Sequence, residues 1–197
     1  MTKKQKTYEF LDVNLLETAM QNRDYSTLIG YAYNLEAKLD TVPRYQELQL
    51  RKEIKDCQTA ILNYILSLDD NKLIDELINS LFDNTDLYPE VYEKACTKLM
   101  ENKTPEEITE VYKTIKNKYF YRPSHTILRH VSSTTKKAGT CLYFIKELEE
   151  TYKKHGVKEY DDYILEFYNR FRAVCSQEEY EQFINSGMQD ENNAQKQ

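Results

Sequence analysis

Thr104-Pro105-Glu106-Glu107-Ile108-Thr109-Glu110-Val111-Tyr112 is a complete helix start. Thr104 stands where an N-cap hydroxyl accepts a backbone N–H, and Pro105 fills the first helical position, where no N–H is needed. Glu107 stands at the third position, from which a carboxylate reaches back to the cap. Ile108, Val111, Tyr112 and Ile115 then recur at the three- and four-residue spacing of one helical face. Ser176-Gln177-Glu178-Glu179 repeats the device ahead of Tyr180, Phe183 and Ile184.

Working outward, the same period predicts helices along the whole chain. The first covers about Tyr8 to Met20. A second is capped by Asp24, and the longest runs from Arg44 to Ser67. Asp69 or Asp70 caps a fourth, and Asp86 caps a fifth with Pro89 in its first turn. Pro123-Ser124 opens a short helix to about Val131. The next runs from Lys136 or Gly139 to Lys154 and stops at His155-Gly156. Asp161 or Asp162 caps a ninth, and Ser176 opens a last helix that ends at Gly187. With 4 Gly and 4 Pro in 197 residues, folds that need many tight turns are excluded. The expected fold is all-α. Residues 1–7 read as a disordered lead, 8–187 as a single all-helical domain and 188–197 as a disordered polar tail.

The helices fall into pairs, with second members near Asp24, Asp69, Thr104, Gly139 and Ser176. From Asp69 onward the step is about 35 to 37 residues, the range of stacked helical hairpins. The pattern admits two arrangements: stacked antiparallel hairpins forming an α-solenoid, or a compact irregular helical bundle.

Thr126 to Lys158 reads TILRHVSSTTKKAG followed by TCLYFIKELEETYKKHGVK. This stretch resembles a pentatricopeptide or tetratricopeptide-type helical hairpin repeat: a helix ending in Lys-Ala-Gly, a second helix, then Lys-x-x-Gly-Val-Lys. The resemblance implies hairpin stacking and covers about one repeat. Pentatricopeptide proteins read single-stranded RNA. Here, however, the base-reading position holds His130, the small packed residue is Phe144, and one extra residue precedes Gly156.

Charge is the clearest functional signal. The net charge is -6, yet residues 113–137 carry seven basic residues and no acidic one. They are Lys113, Lys116, Lys118, Arg122, Arg129, Lys136 and Lys137, with His130 among them and Tyr119 and Tyr121 interleaved. The Ser132 to Thr135 run adds hydroxyl donors. Cations with rings suit an acidic protein segment through charge-assisted hydrogen bonds, and they suit single-stranded nucleic acid through phosphates and base stacking. A solvated face matched to neighbouring acidic helices has the same composition.

Other chemistries lack their motifs. His125 and His130 are five apart, off the four-residue register of two ligands on one helical face. Cys57, Cys96, Cys141 and Cys175 form no CxxC pair and read as reduced thiols of an intracellular, cytoplasmic protein. Asp69-Asp70 and Asp161-Asp162 read as helix starts rather than catalytic dyads. No catalytic residue, metal site, cofactor or membrane span is expected. The sequence points to a non-enzymatic adaptor, scaffold or regulatory subunit that binds a protein partner, with an RNA-binding helical repeat as the alternative.

Overall fold

The computed structural model describes residues 8–119, 124–156 and 160–194, with the backbone alone at 114–119, 155 and 186–194. Among the described residues there are ten α-helices and no strand. They are α1 Val13–Gln21, α2 Tyr25–Ala37, α3 Arg44–Leu66, α4 Asn71–Asn84, α5 Pro89–Met100, α6 Pro105–Tyr119, α7 His125–Thr134, α8 Ala138–His155, α9 Asp161–Val174 and α10 Gln177–Ala194. A 3-10 turn, Lys38–Asp40, follows α2. The expected lead, 1–7, lies outside the described residues. No helix among them is long and apolar enough to cross a membrane. The chain groups into two compact units, Met1–Glu101 with Thr114–Tyr119, and Asn102–Lys113 with Phe120–Gln197.

In the first unit α3 packs against α2, α4 and α5. Its buried stripe of Leu50, Ile54, Cys57, Ile61 and Ile65 follows the helical period and meets Leu28, Ala32 and Leu35 of α2 and Ile74, Ile78 and Leu81 of α4 in an aliphatic core. Two polar side chains on α3 are also fully buried, Glu53 and Gln58. Each is satisfied by a non-helical segment of chain. The Glu53 carboxylate accepts the backbone N–H groups of Glu9 (2.9 Å), Phe10 (2.7 Å) and Leu11 (2.8 Å). The Gln58 amide donates to Thr85 Oγ1 (2.8 Å) and to the Asp86 carbonyl (2.9 Å), and accepts the Tyr88 N–H (3.1 Å).

These two clamps correct two expected helix starts. The helix expected from Tyr8 begins instead at Val13: residues 9–11 give their N–H groups to Glu53, and the Tyr31 hydroxyl takes the Asp12 N–H and the Phe10 carbonyl. Asp12 then caps α1 through Leu15 N–H (3.0 Å). Asp86 does not cap α5. Its N–H goes to Glu36 Oε2 (3.0 Å) and its carbonyl to Gln58, while Pro89 holds Tyr88 extended and starts the helix there. Asp24 and Asp70 cap as expected, accepting the N–H groups of Thr27 and Leu73. Arg23, in the turn between α1 and α2, has a left-handed backbone, φ 54°.

In the second unit α8 and α9 form the principal pair and α7 lies on α9. The core is aromatic. Phe144 stacks on Phe167 with ring centroids 5.0 Å apart and contacts Tyr112 at 5.2 Å. Phe171 meets Phe183 of α10 at 5.1 Å. Both capping boxes form. Thr104 N–H donates to Glu107 Oε2 (2.7 Å) and Glu107 N–H to Thr104 Oγ1 (3.3 Å). Ser176 and Glu179 do the same at 2.8 and 3.2 Å.

Gly156 closes α8 at φ 66°, a left-handed conformation that glycine adopts without Cβ strain, and donates to Tyr152 O. Asp161 and Asp162 lie within the first turn of α9 rather than capping it, where their charge still complements the helix dipole. Lys137 precedes Ala138 and Gly139 as the N-cap of α8, so the Lys-Ala-Gly triplet opens that helix instead of ending α7. α10 runs to Ala194, past Gly187, since one interior glycine costs a helix only about 1 kcal/mol.

Candidate interaction face on α7

Ile127, Leu128, Val131 and Ser132 are the buried side of α7, at the spacing that turns them toward α9. Ser124 caps the helix by accepting the Ile127 N–H (3.3 Å). The opposite side is left to solvent, with Arg129 and Ser133 exposed one turn apart and His130 half-buried beside them. His125 at the start of the helix lies against Tyr160 and Tyr163, with ring centroids 5.7 and 5.6 Å away.

The turn from α7 into α8 is held by Thr135, which is fully buried. Its carbonyl accepts Arg170 Nε (2.6 Å), its hydroxyl donates to Glu106 Oε1 (3.3 Å), and the same oxygen accepts the Lys137 N–H (3.3 Å). Three elements thus fix one residue, and the next two, Lys136 and Lys137, are presented outward.

The hydroxyl run differs from expectation. Ser133 and Thr134 donate to the carbonyls of Arg129 and His130, and Ser132 donates to Glu166 Oε2 (2.8 Å). Hydroxyls near a helix end bond back to its unpaired carbonyls, so these donors are spent within the unit. The charge signal in the sequence remains on this face, but the expected hydrogen-bond donors do not.

Lys113 is engaged locally. Its Nζ lies 2.6 Å from Glu110 Oε1 and 4.9 Å from the centroid of the Tyr143 ring. Burial, with Glu147 and Glu110 nearby, pushes the Tyr143 hydroxyl up to about 12, so the ring stays neutral beneath the cation. Lys116, Lys118 and Tyr119 belong to α6 by their backbone, and their side chains lie outside the described part of the structure. Tyr121 and Arg122 lie outside the described residues altogether.

What the structure brings together is Arg129, His130, Lys136 and Lys137, on one helix and the turn that ends it. Ion pairs among the described residues engage Arg51, Lys55, Lys72, Lys98 and Lys113. Arg129, Lys136 and Lys137 take part in none of these. Arg170 and Glu106, the groups that hold the turn, carry no local sequence signal for that role, because both act from other helices.

Among the described residues no three His, Cys, Asp or Glu side chains converge as metal ligands do. A shallow groove of about 400 Å³ lies at the α9–α10 elbow, lined by Arg172, Cys175, Ser176, Gln177 and Tyr180, and carries no acid–base pair. No protein family, curated protein or solved structure matches the chain.

Proposed function

We propose that the chain is a non-enzymatic interaction module that docks an acidic protein segment on the cationic end of α7. The observation that carries this reading is the group of outward cations Arg129, Lys136 and Lys137, outside the ion pairs formed among the described residues and set on a turn that Thr135 anchors. A fixed turn loses little freedom when a partner arrives, which favours binding.

One feature favours a short acidic peptide over a nucleic acid. Single-strand binding calls for open aromatic faces, whereas Tyr143 already lies under Lys113. The free cysteines suit a reducing compartment such as the cytoplasm.

The test compares two fluorescent probes by anisotropy at low and physiological salt: an acidic dodecapeptide and a single-stranded oligonucleotide. The peptide should bind the parent. Binding should fall at least about tenfold in the Arg129→Glu, Lys136→Glu, Lys137→Glu variant, since every 1.4 kcal/mol is a factor of ten. Helicity should be unchanged, because glutamate next to the start of α8 agrees with the helix dipole. Equal binding by parent and variant refutes the docking face. Tighter, steeply salt-dependent binding of the oligonucleotide makes nucleic acid the partner.

A further inference from the structure

Five hydrogen bonds address the main chain of residues 9–12, and two more hold side chains of the segment to α3, Gln46 Nε2 to Glu9 Oε1 (2.6 Å) and the Tyr8 hydroxyl to Asp56 Oδ2 (3.4 Å). Glu53 takes the N–H groups of residues 9, 10 and 11. The Tyr31 hydroxyl takes the Asp12 N–H (2.7 Å) and donates to the Phe10 carbonyl (3.3 Å). The segment's own side chains contribute little packing, since none from Tyr8 to Asp12 is buried. Its attachment therefore rests on hydrogen bonds, and the largest share, three of them, goes to one carboxylate of α3.

We propose that residues 8–12 are a releasable strap, latched by the Glu53 carboxylate and opened by its protonation. Glu53 Oε1 accepts from Glu9 N and from Gln49 Nε2, and Oε2 accepts from Phe10 N and Leu11 N. A proton on either oxygen turns an acceptor of two bonds into a donor that faces N–H groups. A proton on Oε2 displaces a strap bond, a proton on Oε1 displaces the Gln49 bond or the Glu9 bond, and in both cases the remaining strap bonds weaken because the acceptor is no longer charged.

None of the ion pairs formed among the described residues engages Glu53. The groups around Glu53 are Tyr31 of α2, Gln49, Asp56 and Cys57 of α3, and Glu9 and Asp12 of the strap. Among the described residues no hydrogen bond or ion pair joins Glu53 to a side chain of α1, α4 or α5. Burial pushes the Glu53 carboxyl up, but its hydrogen bonds to Glu9, Gln49, Phe10 and Leu11 together hold it below the ordinary glutamate value. With the strap open the carboxyl returns toward that ordinary value. The latch is therefore fully held above the ordinary glutamate range and is lost as pH falls through the lowered value.

Amide hydrogen exchange on the full chain tests this. In Glu53→Gln, which keeps the shape but replaces one acceptor oxygen with an NH₂ donor, the amides of Glu9, Phe10 and Leu11 should exchange at least about tenfold faster than in the parent. Amides of α3 should keep their protection. In the parent, after correction for the intrinsic rate, the same three amides should open ahead of α3 as the pH is lowered. Unchanged protection of residues 9–11 in Glu53→Gln overturns the proposal. So does loss of protection in step with the whole first unit, which would make the segment an integral part of that unit. Should Glu53→Gln fail to fold, the parent's pH series decides between the same two outcomes.

Discussion

Ile54, Cys57, Ile61 and Ile65 line the long helix of the first unit, whereas the long helix of the second, α8, presents Cys141, Phe144, Ile145 and Leu148. Around α3 the partners are mainly leucine, isoleucine and alanine. Around α8 they include Tyr112, Phe167 and Tyr163. An aliphatic stripe tolerates sliding, because one methyl group replaces another at small cost. In the first unit direction comes from Glu53 and Gln58, whose hydrogen bonds have fixed geometry and leave buried groups unpaired if the register slips. Rings carry direction in themselves. In the second unit the 11° stack of Phe144 on Phe167 and the Tyr112 contact add directional ring packing to the buried Thr135 clamp.

The sharpest way to break this contrast is Phe144→Ala. It should cost about 3–5 kcal/mol in denaturant unfolding, and Phe144→Leu should recover roughly half of that loss, because shape as well as apolar area is at stake. Gln58→Leu probes the other unit. It keeps volume but leaves the Tyr88 N–H without its partner, and should cost about 2 kcal/mol. A Gln58→Leu protein as stable as the parent would mean that aliphatic packing alone sets the first unit's register. Thr104→Ala, which removes a cap without touching either core, should cost only about 1 kcal/mol in the same measurement.

The smallest effect sharpens the comparison without changing stability. Burial pushes the Cys57 thiol up to about 12 and the Cys141 thiol up to about 11, while Cys175 is half-buried at the end of α9. Iodoacetamide at pH 8 should label Cys175 in the native protein and reach Cys57, Cys96 and Cys141 only on unfolding, as read by mass spectrometry. Early labelling of Cys57 would show that the aliphatic unit opens locally.

Helix starts were legible wherever cap and reach-back residue lie within four positions, as at Thr104–Glu107, Ser176–Glu179, Asp24 and Asp70. They were misread where the deciding group is distant. Tyr8 to Asp12 carries an apolar pattern compatible with a helix, but its backbone is claimed by Glu53 and Tyr31 from other helices. Asp86 has the composition of a cap, but Glu36 and Gln58 claim its backbone first. The cationic end of α7 was visible as a charge run. The engagement of the Ser132, Ser133 and Thr134 hydroxyls was not, because their partners depend on where α7 ends and on Glu166 in another helix.

The Glu53 clamp also has a consequence for the order in which the chain is made. Its hydrogen bonds join residues 42 to 44 positions apart. At about 5–20 residues per second, residues 9–11 leave the ribosome roughly two to nine seconds before Glu53 does. During that interval their N–H groups can be satisfied only by water or by transient local helix. Once Glu53 emerges, its carboxylate meets donors that are already waiting, so it need not enter the aliphatic core as an unpaired charge. Vectorial synthesis thus delivers the acceptor last, the sequence of events that keeps a buried glutamate from being stranded.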